Sequence, residues 1–305
     1  MISTLISIFT AGTLMTQDLP SINPHIISWN ENMLIESVSG PKKNEKNIAP
    51  VIEAKAAIVV DMKNGLILYE KNIHQPLYIA SLTKLMTALI VLEENDPSEV
   101  VTVSENASKT PGKKIWLAPD EKITVENLLY ASLIESANDA ATALAEYNAG
   151  SAESFVIKMN RKAEELGLRS TTFVNPTGLD EGEDNGTFQS TIEDGNISSV
   201  YDLTLLGKYV YGKSFIRRTV TKKELEIAST NERLIHKLKN TNALLDSYLT
   251  ILGLKTGTTD NAGECLIAII ENEKGNDILT VVLGSPARYN ETKILADWTL
   301  RTYKW

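Results

Sequence analysis

A serine and a lysine three residues apart, Ser81-Leu82-Thr83-Lys84, open a run that from Leu85 to Leu92 is apolar except for Thr87. On a helix, residues three apart share a face, so hydroxyl and amine come within reach of each other. A lysine held in an apolar helix is poorly solvated as a cation, which lowers its pKa and fits it to take the serine's proton. The chemistry is nucleophilic acyl transfer with an amine as the base. Ser81 at the head of the helix also brings its backbone N–H to where an oxyanion would be stabilised. Taken alone, Ser-x-x-Lys arises by chance, and Ser81 reads equally well as a helix cap.

Two further groups follow in order. Ser136-Ala137-Asn138 places a hydroxyl and a carboxamide two residues apart, too close in sequence to share one face of a helix. They meet in one cleft only from a turn, between a helix ending near Ile134 and another starting near Asp139. A hydroxyl there relays a proton to a leaving amine, and a carboxamide holds a substrate amide. Lys255-Thr256-Gly257 then follows the apolar run Leu249 to Leu254. A cation with hydroxyls at a strand end suits a carboxylate, and Gly257 lets a substrate backbone approach without a Cβ in the way. The N–H of Thr258 is placed to complete an oxyanion hole with that of Ser81. By themselves the two motifs read as a helix cap and an ordinary exposed strand end.

The elements that must carry these groups show in the periodicity. Ala56 to Asp61 and Leu66 to Tyr69 are compact apolar runs around Asn64-Gly65, which predicts a hairpin with a two-residue type I′ turn. Cys265 to Ile270 and Ile278 to Leu283 flank a polar loop and predict a second hairpin. Helices are expected over Ser81 to Glu94, Val125 to Ile134, Ala140 to Tyr147, Ser151 to Leu166, Val200 to Val210 and Glu291 to Tyr303. The fold class is therefore α+β: an antiparallel sheet formed from both chain ends, flanked by helices, with a largely helical insertion between them.

Composition limits what such a site serves. The 305 residues carry a formal net charge of −9, which argues against a nucleic-acid binder. A single cysteine, Cys265, excludes an intramolecular disulfide, and its apolar surroundings read as a buried small hydrophobe. His25, His74 and His236 lie far apart without metal-ligand spacing, so no metal and no cofactor is expected. Residues 1–19 form a possible signal or anchor segment: the stretch from Met1 to Met15 is apolar and uncharged, but shorter than a bilayer span and lacking the basic start of an export signal. Residues 20–53 read as a linker and 54–305 as the catalytic domain.

The three motifs, their order and their separations resemble the low-molecular-mass penicillin-binding proteins, the serine-type D-alanyl-D-alanine carboxypeptidases of peptidase family S11. The likeness runs from about Ala54 to Trp305 and includes Ala80 to Thr87, Thr171 to Leu179, Gly253 to Thr259 and Val281 to Gly284. It implies a β-lactamase/transpeptidase-like fold. Ser81 would attack the carbonyl between two terminal D-alanines of a peptidoglycan stem peptide, with Lys84 as base, and water would release the acyl-enzyme. Ser136 would pass a proton to the departing D-alanine and Asn138 would position the peptide. Lys255 and Thr256 would hold the terminal carboxylate beside Gly257 and Thr258. β-Lactams would acylate Ser81. The setting implied is extracytoplasmic, periplasm or cell-wall face, with any membrane association limited to the N-terminal segment.

The chain also departs from the family. An acidic stretch, 180–197, intervenes where relatives keep a short loop, and reads as a surface loop or a specificity rim. Asn240-Thr241-Asn242 lacks the basic residue some members carry there, which leaves Lys255 more alone in carboxylate recognition. The chain stops after its last helix, without the second β-rich domain of many relatives. A class A β-lactamase would want Ser-Asp-Asn and a downstream deacylating acid, both missing here. A D,D-endopeptidase cutting cross-links uses the same site, and a non-catalytic stem-peptide-binding module is the remaining alternative.

Overall fold

Five largely apolar segments build the central sheet of the computed structural model, which describes Ile27, residues 40–180 and residues 195–305. The strands are β1 (Ala56–Asp61), β2 (Ile67–Lys71), β3 (Thr250–Thr259), β4 (Gly263–Glu271) and β5 (Asp277–Ser285). They lie in the order β3-β4-β5-β1-β2, every pair antiparallel, so the two chain ends meet where Val281 pairs with Ile58. Both faces are covered. Ile58, Val60, Ile267, Ile269 and Val281 face the larger core, while Ala57, Val59, Leu266, Ala268 and Val282 face the smaller. That two-sided burial explains why these strands read as continuous apolar runs.

Helix α1 (Lys84–Glu94) crosses the larger core and is buried from Lys84 through Val91. Around it pack α2 (Val125–Tyr130), α3 (Asn138–Ala149), α4 (Ala152–Glu165) and α5 (Val200–Gly212). The other face of the sheet is closed by α6 (Arg288–Thr302), which starts three residues earlier than its apolar pattern predicts. No helix among the described residues is long and apolar enough to cross a membrane.

Four local expectations are corrected. The turn between β1 and β2 is a four-residue loop, Met62 to Gly65, in which Gly65 has φ 75° and Asn64 does not enter the left-handed region. Asp61 drives it: its carboxylate accepts from Lys63 N and Asn64 N at 3.0 Å each, an Asx-type closure that competes with the two-residue turn. Lys255-Thr256-Gly257 sits inside β3 instead of after a strand, because pairing with β4 continues to Thr259. Ser81 belongs to a 3₁₀ turn, Ala80–Thr83, that precedes the α-helix begun by Lys84.

The fourth correction concerns the expected linker. Lys42–Lys43 pairs with Tyr303–Lys304, Ile52 is buried, and Ala54 N donates to Glu291 at 3.1 Å, so residues 40–53 are stitched to the body. Residues 1–19 and most of the acidic stretch, 181–194, lie outside the described residues. The antiparallel pairs Val100–Thr102 with Lys122–Thr124 and Glu224–Ala228 with Ile235–Lys239 were not expected from the sequence, because their strands are only three to five residues long.

Burial this complete predicts a sharp contrast between two substitutions. Ile269→Ala is expected to cost about 2–5 kcal/mol in urea unfolding, whereas Val51→Ala, at a side chain 96% exposed, should stay within about 0.5 kcal/mol of the parent.

Candidate active site

Ser81 and Lys84 meet as their spacing requires. Lys84 Nζ lies 2.8 Å from Ser81 Oγ, 2.7 Å from Asn138 Oδ1 and 2.6 Å from Thr177 O. The last two are obligate acceptors, and the hydroxyl is the one neighbour able to donate. A neutral amine therefore fits the cage: two N–H groups go to Asn138 and Thr177, and its lone pair faces the Ser81 hydroxyl. Burial favours that state and brings the Lys84 pKa down to about 7, against the opposing pull of the Asp139 carboxylate.

The Thr177 carbonyl is aimed by a side-chain-built turn. Asn175 Oδ1 accepts from Thr177 N at 3.1 Å and Gly178 N at 2.7 Å. Asn196 then ties this turn to the nucleophile's segment, accepting from Val174 N at 2.6 Å and donating to Thr83 Oγ1 at 2.8 Å. Neither asparagine was singled out from the sequence, although Asn175 lies in the Thr171–Leu179 stretch. The Asx-turn pattern Asn-x-Thr-Gly is the signal that marks it.

Ser136 and Asn138 reach the cleft through a break in the helix. After α2 the backbone widens into a π-helical turn, Ala131–Glu135, and Ser136 closes it in the left-handed region at φ 64°. Such one-turn π segments recur at functional sites, and this one turns Ser136 toward β3 while α3 restarts at Asn138. Ser136 Oγ accepts from Lys255 Nζ at 2.8 Å, so the second and third motifs are in direct contact. Lys255 also donates to Thr256 O at 3.0 Å. Burial, and then the cations Lys84, Lys113 and Arg288, hold its pKa well below the usual lysine range.

Gly257 has a different reason from the one its motif offers. A Cβ there would sit 3.0 Å from Ala80 Cβ, Ile79 O and Ser81 N, so glycine lets β3 touch the nucleophile's own turn without pushing it aside by a few tenths of an ångström. The same contact brings the 257–258 peptide beside the Ser81 N–H, the pairing an oxyanion hole needs. On the other side, Gly178, at φ 85°, would place a Cβ 2.0 Å from Ala80 O.

Lys255 is not alone. Arg288, the first residue of α6, donates to Gly257 O at 2.8 Å and to the Thr258 hydroxyl. Thr241, in the neutral Asn240-Thr241-Asn242 turn, hydrogen-bonds Thr256 Oγ1 at 2.6 Å. The missing basic residue is thus answered by a guanidinium from another element. Arg288 carried no local motif, and only the closure of the sheet by α6 brings it to β3. All eight residues expected to form the site converge here: Ser81, Lys84, Ser136, Asn138, Lys255, Thr256, Gly257 and Thr258.

With this geometry in view, the comparisons with known proteins are consistent in direction. The family model for D-alanyl-D-alanine carboxypeptidase, peptidase S11, matches residues 43–287. A D-alanyl-D-alanine carboxypeptidase, DacF, of Bacillus subtilis is 38% identical over 240 residues, covering 76% of this chain and 58% of that protein. The chain spans 58–63% of the length of the curated relatives it matches first. Among solved structures, the peptidoglycan synthesis regulatory factor PBP3 of Streptococcus pneumoniae is 35% identical with a TM-score of 0.73, over 82% of this chain and 74% of that one. The DD-transpeptidase of Streptomyces K15 is 28% identical with a TM-score of 0.74, over 83% of this chain and 99% of that one.

The lowered pKa of Lys84 predicts a pH dependence with a definite sign. Reaction of Ser81 with a serine-directed acylating agent should rise about tenfold per pH unit below about 7, where the amine is mostly protonated, and level off above it. The second-order labelling rate against pH measures this.

Proposed function

This chain belongs to the D-alanyl-D-alanine carboxypeptidase family, peptidase S11, and on that premise we propose that it removes the terminal D-alanine of peptidoglycan stem peptides through an acyl-enzyme on Ser81. The observation that carries the reading is the pairing of a buried amine on the Ser81 hydroxyl with cations and hydroxyls just beyond it. A nucleophile beside an anion site selects a peptide's last bond, because only there does a carboxylate follow the scissile amide by one residue.

Lys84 takes the Ser81 proton as Oγ attacks the D-alanyl carbonyl, and the N–H groups of Ser81 and Thr258 receive the developing oxyanion. Asn138 holds the substrate amide with its carboxamide while its Oδ1 keeps Lys84 in line. Lys84 gives the proton it took from Ser81 to Ser136, and Ser136, bonded to Lys255, gives its own hydroxyl proton to the leaving D-alanine nitrogen as the C–N bond breaks, which leaves Lys84 neutral and Ser136 a hydroxyl again. The carboxylate is received by Lys255, Thr256, Thr258 and Arg288, and its charge restores to Lys255 the cationic form that burial and its neighbours disfavour. Water then attacks the acyl-enzyme, with Lys84 again as base, and frees the shortened peptide. β-Lactams enter as acylating inhibitors because their ring amide and carboxylate present the same two groups. The work site for such a substrate is extracytoplasmic.

Two measurements test the proposal. A fluorescent penicillin should label the protein and fail to label Ser81→Ala; equal labelling of both would remove the acyl-enzyme. D-alanine should be released from a pentapeptide faster than a cross-linked muropeptide is cut, and the reverse order would make the protein an endopeptidase. Arg288→Ala should raise KM for the pentapeptide by about tenfold or more, the loss of one charge-assisted carboxylate contact, with a smaller change in kcat.

A further inference from the structure

We propose that His236 is a positioning residue of this site: with Glu121 it forms a buried latch, bridged by one proton, that holds the 111–121 segment and through it Asn138. His236 lies on the Ile235–Lys239 strand, outside all three motifs. Its Nδ1 is 3.0 Å from Ile115 O and its Nε2 is 2.8 Å from Glu121 Oε1, with side chains 8% and 0% exposed. Both neighbours are acceptors. The ring is satisfied as an imidazolium beside an ionised Glu121, or with the same proton resting on Glu121. In either form one proton lies between Nε2 and Oε1, and its loss sets two lone pairs against each other in a buried site.

The latched segment has little regular structure of its own, so its shape depends on such anchors. Glu121 Oε2 accepts from Ala118 N at 3.0 Å, and the buried Asp139 accepts from Ile115 N at 3.3 Å and Leu117 N at 3.1 Å. In return, the segment fixes Asn138: Pro111 O accepts from its Nδ2 at 2.9 Å and Lys113 O from its N at 2.7 Å. Asn138 Oδ1 is one of the two obligate acceptors on Lys84. His236 is therefore linked to Lys84 by hydrogen bonds at each end of a short stretch of backbone, Pro111 to Ile115, and Trp116 follows it at φ 64° with its indole exposed.

The charges around the latch favour its closed form. Glu121, and further off Asp139 on α3, hold the His236 pKa above its ordinary range, against burial. Glu135, at the end of the π turn, is taken up by Lys113 at 3.0 Å and by Lys239 N at 2.5 Å. Across the hairpin, His236 faces apolar Ile227, while Lys237 pairs outward with Glu226 at 3.2 Å. Lys114 stacks over Trp116, and the neighbouring Lys122 side is exposed. Because the folded pKa is raised, the latch is complete at and below histidine's usual range and is lost as pH rises through the raised value.

Hydrogen exchange over 113–118 in the full chain, from about pH 6 to about pH 9 and corrected for intrinsic rates, tests this together with the ring NMR titration of His236. Protection should fall with pH at the midpoint of the His236 ring. Glu121→Gln can offer its N–H to a neutral ring and its oxygen to Ala118 N, so its segment should stay protected across the range. His236→Gln should be unprotected throughout, and its acylation by penicillin about tenfold slower, the loss of one buried charged bond. The proposal is overturned if Glu121→Gln loosens with pH as the parent does, or if the exchange midpoint and the ring midpoint differ. The acylation arm rests on the acyl-enzyme reading; the exchange arm does not, so a protein that never acylates still decides the latch.

Discussion

A single buried amine organises this molecule. Lys84 can be neutral near physiological pH only where water is excluded, and it is tolerable there only if each of its polar contacts is met. Its three partners come from three separate parts of the chain: the 3₁₀ turn before α1, the start of α3, and the turn after Phe173. Bringing them to one nitrogen requires the helical lobe, the central helix and the Asn196 crosslink to be in register at once. The fold's packing and the site's chemistry are thus the same constraint seen at two scales.

The electrostatics are opposite to those of the whole chain. With a net charge of −9 the protein is acidic, yet Lys84, Lys113 and Arg288 all act on the buried Lys255. Buried among them, Lys255 is held well below the usual lysine range, and its charged form is favoured once an anion lies beside it. A cationic cleft on an acidic chain favours an anionic ligand by relief of repulsion as well as by hydrogen bonding.

Much of this was legible in the sequence, for reasons that can be named. Ser81 with Lys84 follows from short-range spacing, and the late hairpin and the meeting of the two chain ends in one sheet follow from compact apolar runs separated by turn residues. What stayed hidden depends on long-range closure or on side chains that replace backbone partners. Arg288 reaches β3 only because α6 covers the sheet; Asn196 and Asp139 act through backbone groups far away in sequence; the π turn before Ser136 is a one-residue insertion in an otherwise ordinary helical pattern. Asp61 misled the turn prediction because its carboxylate outcompeted the Asn64-Gly65 signal. His236 looked idle because metal-ligand spacing was the only role a lone histidine's sequence could be tested for.

The two glycines that flank the nucleophile's turn bear on how such a site can drift. Gly257 and Gly178 press bare backbone against Ala80 and Ser81 from opposite sides: a methyl group would overlap Ala80 O outright at Gly178 and crowd the turn at Gly257. Side-chain size is the usual means by which mutation shifts a residue by fractions of an ångström, and here both walls lack one. The serine's location is consequently insulated from gradual adjustment. Any change in how the enzyme meets its ligands over evolutionary time must be written into the perimeter, while the attacking atom stays where the main chain has put it.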